Sequence, residues 1–383
     1  MKKYFYAFGL TAILMQACAQ NAPVKEAKKP VVQLPKVEVS YQLSDFLSEN
    51  KQLDADVEKI FQSLDDTAIV AQLLMPAVGR LGQTEATIKA QINKRMIGGV
   101  LMLNGTKAEF TKWINDFEAM NVTLGNVPFL YSADAEPSLV NRKIAGSSIV
   151  KKANELKSVD EVRACADTIA KDLNDIGINY NFAPVVDMSP NKTVGFRSFG
   201  AVPANIIPWS NAFIMQMQQN GIIATAKHFP GHGLVSGDTH KSLQVIDGEL
   251  KEISNYPTLI QDGVLSVMIG HLAVKNNPKY DTKGLPATLS KVIVTDLLRN
   301  EMKFKGLVVT DAMNMGGVTA VPQCDLKAVE AGVDIVLMPV NTEKAFTEIL
   351  QKYRKDAAFK AQVDASAKRV LRMKLAVGAV KPN

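Results

Sequence analysis

Three of the four histidines of this chain fall within residues 227–240, together with Asp238. The segment reads Lys-His-Phe-Pro-Gly-His-Gly from Lys227 and ends in Asp238, Thr239 and His240. Asp238 and His240 are two apart, so in an extended loop their side chains can point the same way. A carboxylate that holds an imidazole fixes its tautomer and raises its basicity, which is what proton-transfer chemistry requires. A second reactive position is Asp311, which follows the apolar residues 306–310. A carboxylate at the end of a buried strand has little freedom to swing and suits a nucleophile or a charge stabiliser. The plain alternative for Asp311 is a helix N-cap.

Such groups need a scaffold. Short apolar, β-rich runs recur at residues 69–75, 99–103, 128–132, 178–186, 222–227, 266–269, 306–310 and 334–338. Between most of them the apolar spacing is helical, at 107–120, 159–176, 206–219, 291–301 and 342–353. Eight strands alternating with helices predict an α/β fold with a parallel sheet, of TIM (β/α)8-barrel type rather than a doubly wound open sheet. In such a barrel, functional groups sit where strands end. Asp134, Asp187, the pair Lys227 and His228, His271 and Asp311 all stand there. One acidic strand end is usually a cap or a turn; a ring of them predicts one shared site.

At this point the residues carry a resemblance. Residues 227–240 and 306–317 resemble the two signatures of glycoside hydrolase family 3, in particular its β-N-acetylglucosaminidase branch. Asn-Phe-Ala-Pro-Val-Val-Asp at 181–187, Arg-Ser-Phe-Gly at 197–200 and Ala-Thr-Leu-Ser at 287–290 are similar to further family segments, in the expected order. The resemblance implies that Asp311 is the nucleophile and that His240, paired with Asp238, is the general acid and then base. It implies that Lys227, His228, Asp134, Arg142 and Arg197 bind substrate, and that a terminal N-acetylglucosamine is released with retention of configuration. The expected substrates are glycans derived from peptidoglycan or chitin, with no cofactor and no metal. The chain departs from the family pattern at Pro137 and Ser138, where Gly-Gly is usual. Other readings are a zinc site built from His228, His232, His240 and Asp238, a glycoside phosphorylase of the same fold, and a non-catalytic glycan-binding envelope protein.

Composition bounds the rest. The chain has 383 residues, 47% of them hydrophobic, enough for a single large domain. The net charge of +6 is mild and its lysines and arginines are scattered, so no nucleic-acid partner is expected and a monomer is. Residues 1–17 read as a signal peptide, with Lys2 and Lys3 before an apolar run too short to span a membrane permanently. Leu-Met-Gln-Ala ahead of Cys18 resembles a bacterial lipobox, which implies a lipid on Cys18 and a membrane-anchored protein of the cell envelope; plain secretion is the alternative. Residues 18–45, with Pro23, Pro30 and Pro35, read as a tether, and 46–383 as the catalytic barrel with a helical tail. That tail leaves the acid to the barrel itself, in line with His240. Cys165 and Cys324 are expected as buried thiols, with a single bridge as the alternative.

Overall fold

The computed structural model describes residues 40–382. The expected signal peptide, Cys18 and the tether up to residue 39 lie outside the described residues. The helix Val159–Ile176 shows how local chemistry sets an element. The Ser158 side chain accepts from the Glu161 amide, and Asp160 and Glu161 stand at the positive helix end. Val162, Cys165, Ile169, Leu173 and Ile176 form the buried face, and Gly177 ends the helix in the left-handed region (φ 93°).

The strands that position the site are β1 (Leu74–Met75), β2 (Ala77–Val78), β3 (Gly99–Met102), β4 (Leu130–Ala133), β5 (Tyr180–Asn181), β6 (Ile223–Phe229), β7 (Ser266–Ile269), β8 (Leu307–Thr310) and β9 (Val336–Leu337). Strands β2 to β8 form one seven-stranded parallel sheet in chain order, while β1 and β9 pair separately. Between β8 and β9 the link is a single bridge, Val309 to Ile335, with the Thr310 amide donating to the Ile335 carbonyl at 3.0 Å. The fold is therefore α/β and TIM-barrel-like, but its ladder does not close as one continuous eight-stranded barrel. Pro76 separates β1 from β2, and Met338 turns left-handed (φ 49°) directly after β9. Both confine the ladders at this seam to two residues.

Two expectations change here. Residues 69–71 are helical rather than extended, because Asp65 caps the helix Asp66–Ala71 by accepting from the Ala68 amide. The folded chain also begins before residue 46. A short 3-10 turn, Leu43–Phe46, buries Leu43 and Phe46 against Leu130, Ile223, Leu265 and Leu307 inside the ring of strands. Arg372 locks that turn by donating to the Phe46 carbonyl at 2.7 Å and the Ser48 carbonyl at 2.8 Å. The tail is two helices, Thr342–Lys355 and Ala357–Ala376. Cys165 and Cys324 are free and buried, and burial pushes their thiols up to about 12 and about 11. No helix of the described residues is long and apolar enough to cross a membrane.

Candidate active site

Asp134 follows β4 directly and Lys227 lies within β6. The Lys227 ammonium is 2.9 Å from Asp134 and 2.6 Å from Glu136. Arg197 binds Glu136 with both arms of its fork, Nε to Oε2 at 2.8 Å and Nη2 to Oε1 at 2.7 Å. Lys143, on the short helix Val140–Lys143, closes the chain of charges at 2.5 Å from the second Asp134 oxygen. Asn181, ending β5, accepts from the Ala135 amide at 2.9 Å and donates to its carbonyl at 3.1 Å, fixing the turn between the two acids. Burial alone would favour neutral carboxyls here. Lys143 and Lys227 outweigh it and hold Asp134 far below the ordinary carboxylate range. Arg197 and Lys227 likewise hold Glu136 down, at about 2.

A second tier stands behind this floor. Asp187 is buried and accepts from His228 Nδ1 at 2.6 Å, from the His228 amide at 3.1 Å and from the His232 amide at 2.8 Å. His228 thus turns its Nε2 edge toward the cavity that it lines. His271 is buried, with Nε2 2.9 Å from the Ala312 carbonyl and Nδ1 2.7 Å from the Thr288 hydroxyl. A carbonyl only accepts, so Nε2 carries the proton and Nδ1 accepts from Thr288. Burial lowers its pKa, in keeping with this neutral form. Asp187 and His271, read from the sequence as strand-end site groups, therefore support the site from behind and do not line it.

Asp311 follows β8. Its amide donates to the Ile269 carbonyl at 2.9 Å, and one carboxylate oxygen accepts from the Ala312 amide at 2.8 Å. Burial opposes its charge, but His228, the Ala312 amide and Lys227 together bring the pKa below the ordinary value. Asp311 is thus poised as a carboxylate.

The loop bearing His240 is built differently. The imidazole is 62% exposed, and its Nδ1 is 2.8 Å from Asp238 Oδ1, which also accepts from the His240 amide at 3.0 Å. The loop root is fixed by Glu252, which accepts from the amides of Met188 at 2.6 Å, Gly233 at 3.2 Å and Leu234 at 3.1 Å. Gly231 (φ 129°) passes so close to this acid that a Cβ would lie 2.4 Å from Glu252 Cβ. Asn191 donates to the carbonyls of Val235 and Gly237, and His232 meets Thr239 at 3.0 Å. The tip is tied to the Asp311 loop: the Gly316 amide donates to the His240 carbonyl at 3.0 Å and the Gly317 amide to the Thr239 carbonyl at 2.9 Å. A Cβ at Gly316 would come within 2.4 Å of the Lys241 carbonyl oxygen, so only glycine allows this approach.

One cavity of about 600 Å³ unites these groups. Asp134, Arg142, Arg197, Lys227, His228, His240 and Asp311 all line it, and Asp238 holds His240 in place. The Arg197 fork is taken up by Glu136. His228, His232 and His240 turn to separate partners rather than to a common point. Glu136, Lys143 and Glu252 were not singled out as site residues from the sequence. Glu136 had a faint signal, an acid two places after a strand-end acid. Lys143 had none, being one of many scattered lysines, and Glu252 had none, because its partners are 18 to 64 residues away.

A TIM-barrel-like α/β fold, with carboxylates and imidazoles converging at the strand ends on one cavity, defines the class of this protein. Residues 66–373 match the family described as "Glycosyl hydrolase family 3 N terminal domain", and the chain belongs to that family. It is 28% identical over 306 residues to a β-N-acetylglucosaminidase/β-glucosidase of Cellulomonas fimi, covering 74% of this chain but spanning 53% of that relative. It is 30% identical to the β-hexosaminidase LpqI of Mycobacterium tuberculosis, over 80% of this chain and 81% of that protein. Among solved structures, the β-N-acetylhexosaminidase of Beutenbergia cavernae superposes with a TM-score of 0.73 at 28% identity, covering 81% of this chain and 98% of that one.

Proposed function

We propose that this protein is an exo-acting, retaining β-N-acetylglucosaminidase. The observation that carries the reading is that Asp311 and the Asp238-held His240 open onto one cavity whose floor is lined by Asp134, Lys227 and His228. Asp311 attacks the anomeric carbon as the glycosidic C–O bond breaks. His240, as imidazolium stabilised by Asp238, gives its Nε2 proton to the departing oxygen. Neutral His240 then takes a proton from water, whose oxygen displaces Asp311, and the sugar leaves with its configuration retained. Asp134 and Lys227 offer an acceptor and donors for sugar hydroxyls, and Arg142 adds a cation on the same wall. Hydrogen bonds across the β8–β9 seam support a working (β/α)8 barrel as the rigid mount.

The substrate is a peptidoglycan- or chitin-derived glycan with a terminal N-acetylglucosamine. Residues 1–17 are removed as a signal peptide, Cys18 is lipidated, and the tether holds the enzyme at a membrane of the cell envelope; the sequence pattern supports this part. The test is incubation of the full chain with a chromogenic β-N-acetylglucosaminide in phosphate-containing and phosphate-free buffer. Release of free N-acetylglucosamine in both is expected. Sugar phosphate as the product would make the protein a phosphorylase, and binding without turnover would make it a glycan-binding protein.

A further inference from the structure

The cavity floor is charged and polar, but two large apolar side chains on its walls remain open to solvent: Leu81, 65% exposed, and Phe196, 38% exposed. An aromatic ring left partly open on the wall of a binding cavity offers an apolar face to whatever enters it. Phe196 is also not on a free loop. Its neighbour Arg197 is locked to Glu136 through both fork arms, at 2.8 and 2.7 Å, and the Arg197 amide donates to the Val194 carbonyl at 2.8 Å. On the other side, the Ser138 hydroxyl donates to the Phe196 carbonyl at 2.7 Å and accepts from the Ala153 amide at 2.9 Å. Ser138 stands where the family resemblance leads one to expect glycine, which could make neither bond.

We infer that Phe196, held in place through Ser138, is the aromatic wall of a subsite for the leaving half of the substrate, and that this half is a second sugar ring. The inference rests on the proposed glycosidase reading. There, the hydroxyls of the terminal sugar meet the floor at Asp134 and Lys227. The bond to be broken faces Asp311 and the exposed His240, so the ring beyond that bond meets the open part of the cavity. A pyranose has an apolar C–H face of the kind that stacks on an aromatic ring, while its hydroxyls stay in water. Phe196 is a binding residue in this scheme and Ser138 a positioning residue.

The test compares two ligands of different reach. N,N′-diacetylchitobiose spans the cleaved bond; free N-acetylglucosamine, measured as a competitive inhibitor, occupies only the floor. For Phe196→Ala, KM for the disaccharide is expected to rise about three- to tenfold, with the inhibition constant of N-acetylglucosamine unchanged. Phe196→Tyr should restore the wild-type KM, and Ser138→Gly should fall between. A wild-type KM in Phe196→Ala would overturn the wall, as would a parallel rise in the inhibition constant, which would mean a disturbed floor. Wild-type protein that releases no sugar from the disaccharide or from an aryl glycoside would overturn the glycosidase reading, and the subsite with it.

Discussion

On the floor of the cavity, Lys227 is 2% exposed and touches Asp134 and Glu136, and Glu136 in turn fills the fork of Arg197. On the rim, His240 is 62% exposed and its ring meets Asp238 alone. The two regions face the same cavity and are held by opposite means. The groups proposed to grip a neutral, hydroxyl-rich ligand are paired with one another, so each keeps its charge and direction before anything binds. The group proposed to exchange protons is left open, and its backbone is fixed instead, by Glu252 at the root of the loop and by Gly316 and Gly317 at its tip. Rigidity is placed in side chains on the floor and in the main chain on the rim.

Substitutions that exchange these roles test the contrast. The largest effect is expected from Glu136→Ala, which leaves Lys227 and Arg197 without their shared carboxylate in a buried place. Breaking such a pair costs about 3–5 kcal/mol, so thermal unfolding followed by circular dichroism should shift down by several degrees. His240→Ala should leave the unfolding temperature nearly unmoved, since an exposed ion pair contributes only about 0–1 kcal/mol. Equal shifts for the two variants would dissolve the distinction between floor and rim.

A smaller effect belongs to the root of the rim loop. Burial, with Asp187 nearby, pushes the Glu252 carboxyl up from 4.5 to about 8. A group raised in the folded state adds stability that is fully present below its unfolded value and is lost as pH rises through its folded value. The wild-type unfolding temperature should therefore fall relative to that of Glu252→Gln between pH 5 and pH 8. Parallel curves for the two proteins across that range would mean that Glu252 does not carry the extra proton.

Much of this was readable from local pattern. The helix Val159–Ile176 follows from its spacing, its Ser158 cap and Gly177, and Asp311 is marked by the apolar strand before it. The rest was set by partners far away in the chain. Nothing near Arg197 announces that its fork belongs to Glu136, 61 residues earlier. The Glu252 acceptor looks like any helix-start acid until the His240 loop is folded over it. Asp187 and His271 sit near strand ends as active groups would, but their hydrogen bonds turn them toward His228, His232 and Ala312. Residues 69–71 carry a strand-like composition, and a single cap at Asp65 overrides it.

The most direct test of the central claim is to trap the sugar on the protein. In His240→Ala the second step lacks its base, so a glycosyl-enzyme formed from an activated aryl N-acetylglucosaminide should accumulate. Intact-mass and peptide mass spectrometry are expected to find one N-acetylglucosaminyl adduct, on the peptide that contains Asp311. An adduct on another residue, or turnover with inverted configuration and no adduct, would contradict the assignment of Asp311 and His240 as the two halves of one double displacement.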